Sequence, residues 1–124
     1  MKFILITLTF AFALTGNTQA EAPIGEIPEP TPSELVDFYF KEDADRMKKV
    51  FACESGLKQF DLKGNVITSH TRDFGIAQIN EKTWDKKSKE MGLDYKNNIQ
   101  DNLKLAKYIY DVSGERAWVC SRKV

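Results

Sequence analysis

Histidine and cysteine are scarce in this sequence, which has one histidine and two cysteines among its 124 residues. A structural or catalytic zinc site needs three or four protein ligands, drawn mostly from these residue types. His70 has no partner at ligand spacing, and two cysteines do not complete such a site unaided. We therefore expect no metal centre, and we interpret His70 as a solvent-exposed loop residue.

An excess of charge of either sign is also absent, because 18 lysine and arginine residues balance 18 aspartate and glutamate residues. Proteins that bind nucleic acid or an anionic membrane surface usually present a basic patch. The sequence gives no electrostatic reason to expect either partner.

Charged residues are missing from Phe3–Leu14, an apolar run that follows Lys2 and precedes Thr18-Gln19-Ala20. This order is typical of a secretory signal peptide, here residues 1–20. A membrane anchor is the alternative, but the run is shorter than the roughly 20 residues that span a bilayer. We expect a secreted or periplasmic chain with no stable membrane insertion after cleavage.

Proline is confined to the segment between Pro23 and Pro32, which holds all four prolines and few large apolar residues. This composition predicts an extended tether over residues 21–32. The folded domain would then cover residues 33–124, which suffice for one thin hydrophobic core. We expect this domain to be monomeric.

Cys53 and Cys120 are the only cysteines. In an oxidising compartment an even number of cysteines suggests a disulfide, which would tie a helix to the C-terminal tail. Such a disulfide would close a loop of 67 residues, and the chain-entropy model gives a loop of this length a stabilisation of about 4 kcal/mol. Two free buried thiols are the alternative.

Two helices are predicted before residue 57. Thr31-Pro32-Ser33-Glu34 is a capping box that begins the first helix. The second runs from about Glu42 to Ser55 and ends at Gly56 as a left-handed cap. Glu54 continues the apolar stripe of this helix and lies in its last turn, where the helix dipole disfavours negative charge. Both features suit a carboxylic acid that donates a proton.

A small β region and two further helices are predicted after Gly56. Phe60–Thr68 indicates a hairpin around a Lys-Gly-Asn turn. A third helix is expected over Glu81–Met91, and a fourth from the cap Asn98 to about Ser113. Helices, a short β excursion and helices again predict an α+β domain that is mostly α-helical.

The segment Asp73-Phe74-Gly75-Ile76-Ala77-Gln78-Ile79-Asn80 offers a second carboxylate and two amides. Together with Glu54, these groups are the ones that cleavage of a glycosidic bond uses. The alternative roles are structural: Asp73 as a turn-capping residue, Gln78 as a polar strand residue and Asn80 as the N-cap of the third helix.

These residues resemble the lysozyme-like superfamily, most closely the transglycosylase domain of soluble lytic transglycosylases. The features that carry the resemblance are Cys-Glu-Ser-Gly at 53–56, the segment 73–80, Trp84, and Asn102 followed by Ala106 and Tyr110. It covers about residues 35–119. It implies a lysozyme-like fold with a small β-hairpin beside the active-site groove, and cleavage of the β-1,4 bond between N-acetylmuramic acid and N-acetylglucosamine in peptidoglycan.

The resemblance also implies roles for individual residues. Glu54 matches the catalytic acid and Gln78 the amide that contacts the glycan, with Gly75 and Ile76 shaping the floor of the groove. The further substrate-binding candidates are Ser55, Asn80, Tyr110 and Trp118. Ser55 either holds the Glu54 carboxyl group or terminates the helix, while Trp84, Trp118, Tyr108 and Tyr110 are either core aromatics or platforms on which sugars stack.

Two departures from the family pattern concern the mechanism. Asp73 stands at a position where many lytic transglycosylases have no acid. Animal-type lysozymes do have an acid there, and it serves as their second carboxylate. The Tyr-Asn-x-Gly stretch of many members is replaced by Ala117-Trp118-Val119-Cys120. We predict a lytic transglycosylase that needs no cofactor; a hydrolase using Glu54 and Asp73 and a non-catalytic glycan-binding module are the alternatives.

Overall fold

The computed structural model describes Gly16 and residues 25–124. The predicted signal peptide therefore lies, except for Gly16, outside the described residues. Within the predicted tether, residues 25–31 are exposed and belong to no helix or strand. Pro32 already belongs to the first helix.

Helices dominate the described part of the chain, so the mostly helical α+β class is confirmed. Three short 3₁₀ helices cover Lys41–Asp43, Glu115–Ala117 and Val119–Arg122. The regular elements are α1 (Pro32–Phe40), α2 (Ala44–Ser55), β1 (Asp73–Phe74), β2 (Ile79–Asn80), α3 (Glu81–Glu90) and α4 (Ile99–Ser113).

The helix ends follow local capping chemistry. The Thr31 hydroxyl accepts the Glu34 N–H at 3.2 Å, and the Glu34 carboxylate accepts the Thr31 N–H at 2.7 Å, so the predicted capping box is present. Gly56, at φ 70°, ends α2 in the left-handed conformation as expected. α2 begins two residues later than predicted, because Lys41–Asp43 form a 3₁₀ turn.

The hairpin expected over Phe60–Thr68 is reduced to an isolated bridge between Phe60 and Val66. The reason lies in Asp61, whose side chain accepts the N–H groups of Lys63 at 2.8 Å and Asn65 at 3.0 Å. These backbone N–H groups therefore bond to a side chain and not to a paired strand, so no regular β-ladder forms here. The regular antiparallel pair is β1 with β2, which pairs Asp73 with Asn80.

The core is built where α1, α2 and α4 meet. Phe51 of α2 lies at its centre, with edge-to-face contacts to Phe40 of α1 at 5.5 Å and to Trp118 at 5.6 Å between ring centroids. Aromatic pairs in this geometry stabilise a fold beyond the area they bury. Phe51 therefore fixes the last turn of α2, the turn that carries Glu54.

Two buried amide side chains hold the loop between β1 and β2. The Gln59 carbonyl oxygen accepts the Ile76 N–H at 2.9 Å, and that of Asn102 accepts the Ala77 N–H at 3.1 Å. The Asn102 amide also donates to the Phe74 carbonyl at 2.9 Å. Because these bonds are buried, losing one partner would leave an unsatisfied polar group.

Gly75 lies directly against both amides, so we expect Gly75→Ala to destabilise the fold by about 3 kcal/mol. A Cβ there would lie 2.4 Å from the Gln59 side chain and 2.5 Å from that of Asn102, on a backbone at φ 76°. Gly92→Ala is the matched control, since Gly92 has φ 68° and no atom within 4 Å of its Cβ position. The control should cost about 1 kcal/mol. Equal losses in urea unfolding would contradict the close approach.

The C-terminal segment returns to α2 and is tied there covalently. Cys53 and Cys120 form the predicted disulfide, with Cα atoms 5.9 Å apart. The Arg46 guanidinium donates to the Ser121 carbonyl at 2.6 Å and to Glu115 at 2.9 Å. No helix in the described part of the chain is long and apolar enough to cross a membrane.

Candidate functional site

A cleft of about 130 Å³ lies between the end of α2, the β1–β2 hairpin, the start of α3 and residues 117–119. It brings together two carboxylates and two amides from segments that are distant in the sequence. Apolar and aromatic side chains form the rest of its wall. The lining residues are Glu54, Asp73, Gln78, Ile79, Asn80, Trp84, Ile109, Ala117, Trp118 and Val119.

Glu54 is half-buried at the α2 side of the cleft. Its Oε1 accepts the backbone N–H of Cys120 at 3.0 Å. This contact occupies Oε1, so Oε2 is the oxygen from which a protonated Glu54 would donate. Trp118, Ile109 and Val119 supply apolar surface to the same cleft.

Asp73 faces the same cleft in a contrasting environment. Its carboxylate accepts hydrogen bonds from the Ser69 hydroxyl at 2.6 Å, the Thr71 hydroxyl, and the Asn80 amide at 2.9 Å. Partial burial alone raises the pKa of Asp73, but these three bonds outweigh it, and the pKa lies below its usual value. Asp73 is therefore an anion. His70, exposed as predicted, adds a smaller effect in the same direction.

The two amides contribute differently. Gln78 donates both amide hydrogens within the protein, to the carbonyls of Ile67 at 3.0 Å and Gly75 at 2.9 Å. Its Oε1 is the atom it can offer a ligand, as an acceptor. Gln78 also has φ 49°, a left-handed conformation that costs a non-glycine residue about 1 kcal/mol. Asn80 caps α3 as predicted, accepting the Thr83 N–H at 3.1 Å.

Both tryptophans line the cleft. Trp118 is only 4% exposed, and its indole N–H donates to the Ala77 carbonyl at 2.7 Å, so it acts as a wall with no free donor. Trp84 is half-buried and meets Tyr108 edge-on at 6.3 Å. Trp84 is therefore the aromatic ring with accessible surface inside the cleft.

The other predicted substrate-binding residues do not line the cleft. The Ser55 hydroxyl donates to the Ile76 carbonyl at 2.7 Å, so it fastens the helix end to the loop and does not hold Glu54. Gly75 and Ile76 are buried behind the lining. Tyr110 packs edge-on against Phe40 at 5.6 Å, in the α1–α4 interface.

Sequence reasoning missed three lining residues, Ile109, Ala117 and Val119, and the N–H that Cys120 gives to Glu54. Ile109 is one of the buried apolar residues of α4, which its sequence marks as core and not as cleft. The one available signal for the others was the cysteine pair, which places the segment around Cys120 beside the end of α2.

The cleft offers no set of metal ligands: among the described residues, no three His, Cys, Asp or Glu side chains are grouped so that they could hold an ion. No protein-family model matches the chain, and neither does any curated protein or solved structure. The case for a function therefore rests on the chemistry of the cleft.

Proposed function

We propose that this protein cleaves the β-1,4 bond between N-acetylmuramic acid and N-acetylglucosamine in peptidoglycan, with Glu54 as the general acid. The observation that carries the proposal is the placement of two carboxyl groups in one cleft: Glu54, whose Oε1 accepts a backbone N–H, and Asp73, which three side-chain hydrogen bonds hold as an anion. Glycosidases use two carboxyl groups in this way, one protonated and one ionised. A mostly helical domain with a β-hairpin at its cleft is compatible with a lysozyme-like fold.

Glu54 gives its proton from Oε2 to the glycosidic oxygen as the bond breaks. The N–H of Cys120 on Oε1 fixes the orientation of the carboxyl group. Trp84 supplies a ring face for a sugar and Gln78 an acceptor for a sugar hydroxyl.

Asp73 stabilises the positive charge that develops on the sugar ring. Its lowered pKa keeps it ionised. Its three hydrogen bonds hold it in place, so that little reorganisation is needed during the reaction. A persistent anion facing the acid supports hydrolysis, in which water completes the reaction and leaves a reducing end.

Internal transglycosylation is the second candidate, and one observation favours it. All three hydrogen bonds to Asp73 come from its own neighbourhood, residues 69–80, so the side chain also has a complete structural role. In this version Glu54, having lost its proton, takes one from the 6-hydroxyl of the sugar, and an anhydro ring forms. The two versions share the acid and differ in their need for Asp73.

Export belongs to the proposal, because peptidoglycan lies outside the cytoplasm. The Cys53–Cys120 disulfide supports it, since disulfides persist in oxidising compartments.

A zymogram tests the proposal against a non-catalytic binding module. The oxidised chain, run in a gel containing purified cell wall and then refolded, should leave a cleared band. Co-sedimentation with wall fragments provides the binding readout. Binding without clearing, by protein shown to be folded, would contradict an enzymatic function.

A further inference from the structure

The disulfide joins the two residues on either side of the Glu54 hydrogen bond, Cys53 and Cys120. Cys53 is the residue before Glu54, and Cys120 supplies the N–H that Glu54 accepts at 3.0 Å. The same covalent bridge thus connects the backbone of the acid to the backbone of its hydrogen-bond donor. Among the described residues, no other hydrogen bond from the C-terminal segment reaches the Glu54 side chain.

The segment that carries this donor has little internal support. Val119–Arg122 is a single 3₁₀ turn, and the Val119 side chain is 62% exposed. Short 3₁₀ turns have poorer hydrogen-bond geometry than an α-helix. Something outside the turn must therefore hold Cys120 against Glu54.

Two other attachments hold the segment at different points. Trp118 is anchored two residues earlier, by its indole N–H on the Ala77 carbonyl. Arg46 holds the far end, through the carbonyls of Ser121 and Val124, each at 2.6 Å. Arg46 lies eight residues before Glu54 on α2, about two turns away. The disulfide is the covalent attachment at Cys120 itself.

We propose that the Cys53–Cys120 disulfide is a positioning element for Glu54, and that full activity requires its oxidation. With the bridge closed, the Cys120 N–H occupies Oε1 and the acidic hydrogen on Oε2 faces the cleft. With the bridge open, the donor leaves and the carboxyl group rotates freely. This inference rests on the proposed function, and it makes export a condition for activity.

The bridge should affect turnover more than substrate binding. The groups that would hold the glycan, Gln78 and Trp84, belong to the loop before β2 and to α3, and neither cysteine lines the cleft. We therefore expect Cys53→Ala/Cys120→Ala to lower kcat at least tenfold while KM changes less than twofold. Reduction of the wild type should have the same effect; a dithiol supplies the two electrons and two protons and closes its own disulfide.

Two control variants separate positioning from general destabilisation. Val36→Ala removes fully buried volume in α1, away from the cleft, and should keep the wild-type kcat. Arg46→Gln loosens the same C-terminal segment with the disulfide intact, and should also keep kcat within twofold. A tenfold loss in Arg46→Gln would contradict the inference even if the double cysteine variant failed to fold.

The amide resonance of Cys120 tests the inference without any activity assay. In the oxidised chain, Glu54→Gln should shift this resonance, because the acceptor of the hydrogen bond changes. In the reduced chain the same substitution should leave it in place. A shift of equal size in both states would show that the contact survives without the bridge, and would overturn the inference. If the oxidised wild type did not cleave cell wall at all, that result would instead refute the proposed function alone.

Discussion

Glu54→Gln should lower kcat/KM on peptidoglycan at least 100-fold and leave the fold and glycan binding unchanged. General acid catalysis contributes about 10²–10⁴-fold, and an amide cannot supply the proton. The substitution keeps the shape of the side chain, and the glutamine Oε1 can still accept the Cys120 N–H. The loss should therefore be in kcat and not in stability. The measurement is turnover on purified cell wall at enzyme excess.

The matched control is Glu42→Gln, the same change at an exposed position in the turn between α1 and α2. This variant should retain wild-type activity, because Glu42 does not line the cleft. Residual activity of Glu54→Gln above about one hundredth of wild type would remove Glu54 from the role of acid.

Asp73→Asn should lower kcat/KM about 10³-fold, equivalent to roughly 4 kcal/mol of barrier, if the enzyme hydrolyses its substrate. The substitution removes the anion that supports the cationic transition state. If the 6-hydroxyl of the sugar is the nucleophile, no second carboxylate is required. The cost should then be about tenfold, or 1.4 kcal/mol. The Asp73 environment favours the first outcome.

Ser69→Ala is the control for damage to the loop. It deletes the hydrogen bond that the Ser69 hydroxyl donates to the Asp73 carboxylate and the one that it accepts from the Asp73 N–H, and it leaves the negative charge. We expect its activity to remain within about tenfold of wild type, since a single hydrogen bond to a charged group contributes about 1.5–3 kcal/mol to stability and little to the reaction itself. A loss as large as that of Asp73→Asn would indicate that loop order, and not charge, controls the rate.

Helix ends were predictable from the sequence because capping is local. Thr31 and Glu34 meet within one turn, Gly56 adopts its conformation without long-range help, and Asn80 and Asn98 each bond an N–H three residues ahead. Competition from a side chain was not predictable in the same way. The Asp61 carboxylate accepts the N–H groups of Lys63 and Asn65, and the regular strand pair forms later in the chain, between β1 and β2.

The candidate site was predictable where the sequence segment itself carries the chemistry. Glu54, Asp73, Gln78 and Asn80 line one cleft, as the segment order suggested. Long-range packing decided the rest. Tyr110 directly follows the cleft residue Ile109 on α4, but its ring packs against Phe40 in the interface with α1. The hydrogen-bond donor to Glu54 is a backbone N–H, which has no sequence signature.

Mass spectrometry of the muropeptides released from purified cell wall tests the central claim most directly. The oxidised wild type should release disaccharide peptides with reducing ends, and Glu54→Gln should release none. Anhydro ends, lighter by one water, would retain Glu54 as the acid and replace hydrolysis by transglycosylation. No released muropeptides from folded, oxidised protein would contradict the assignment of this cleft to glycan cleavage.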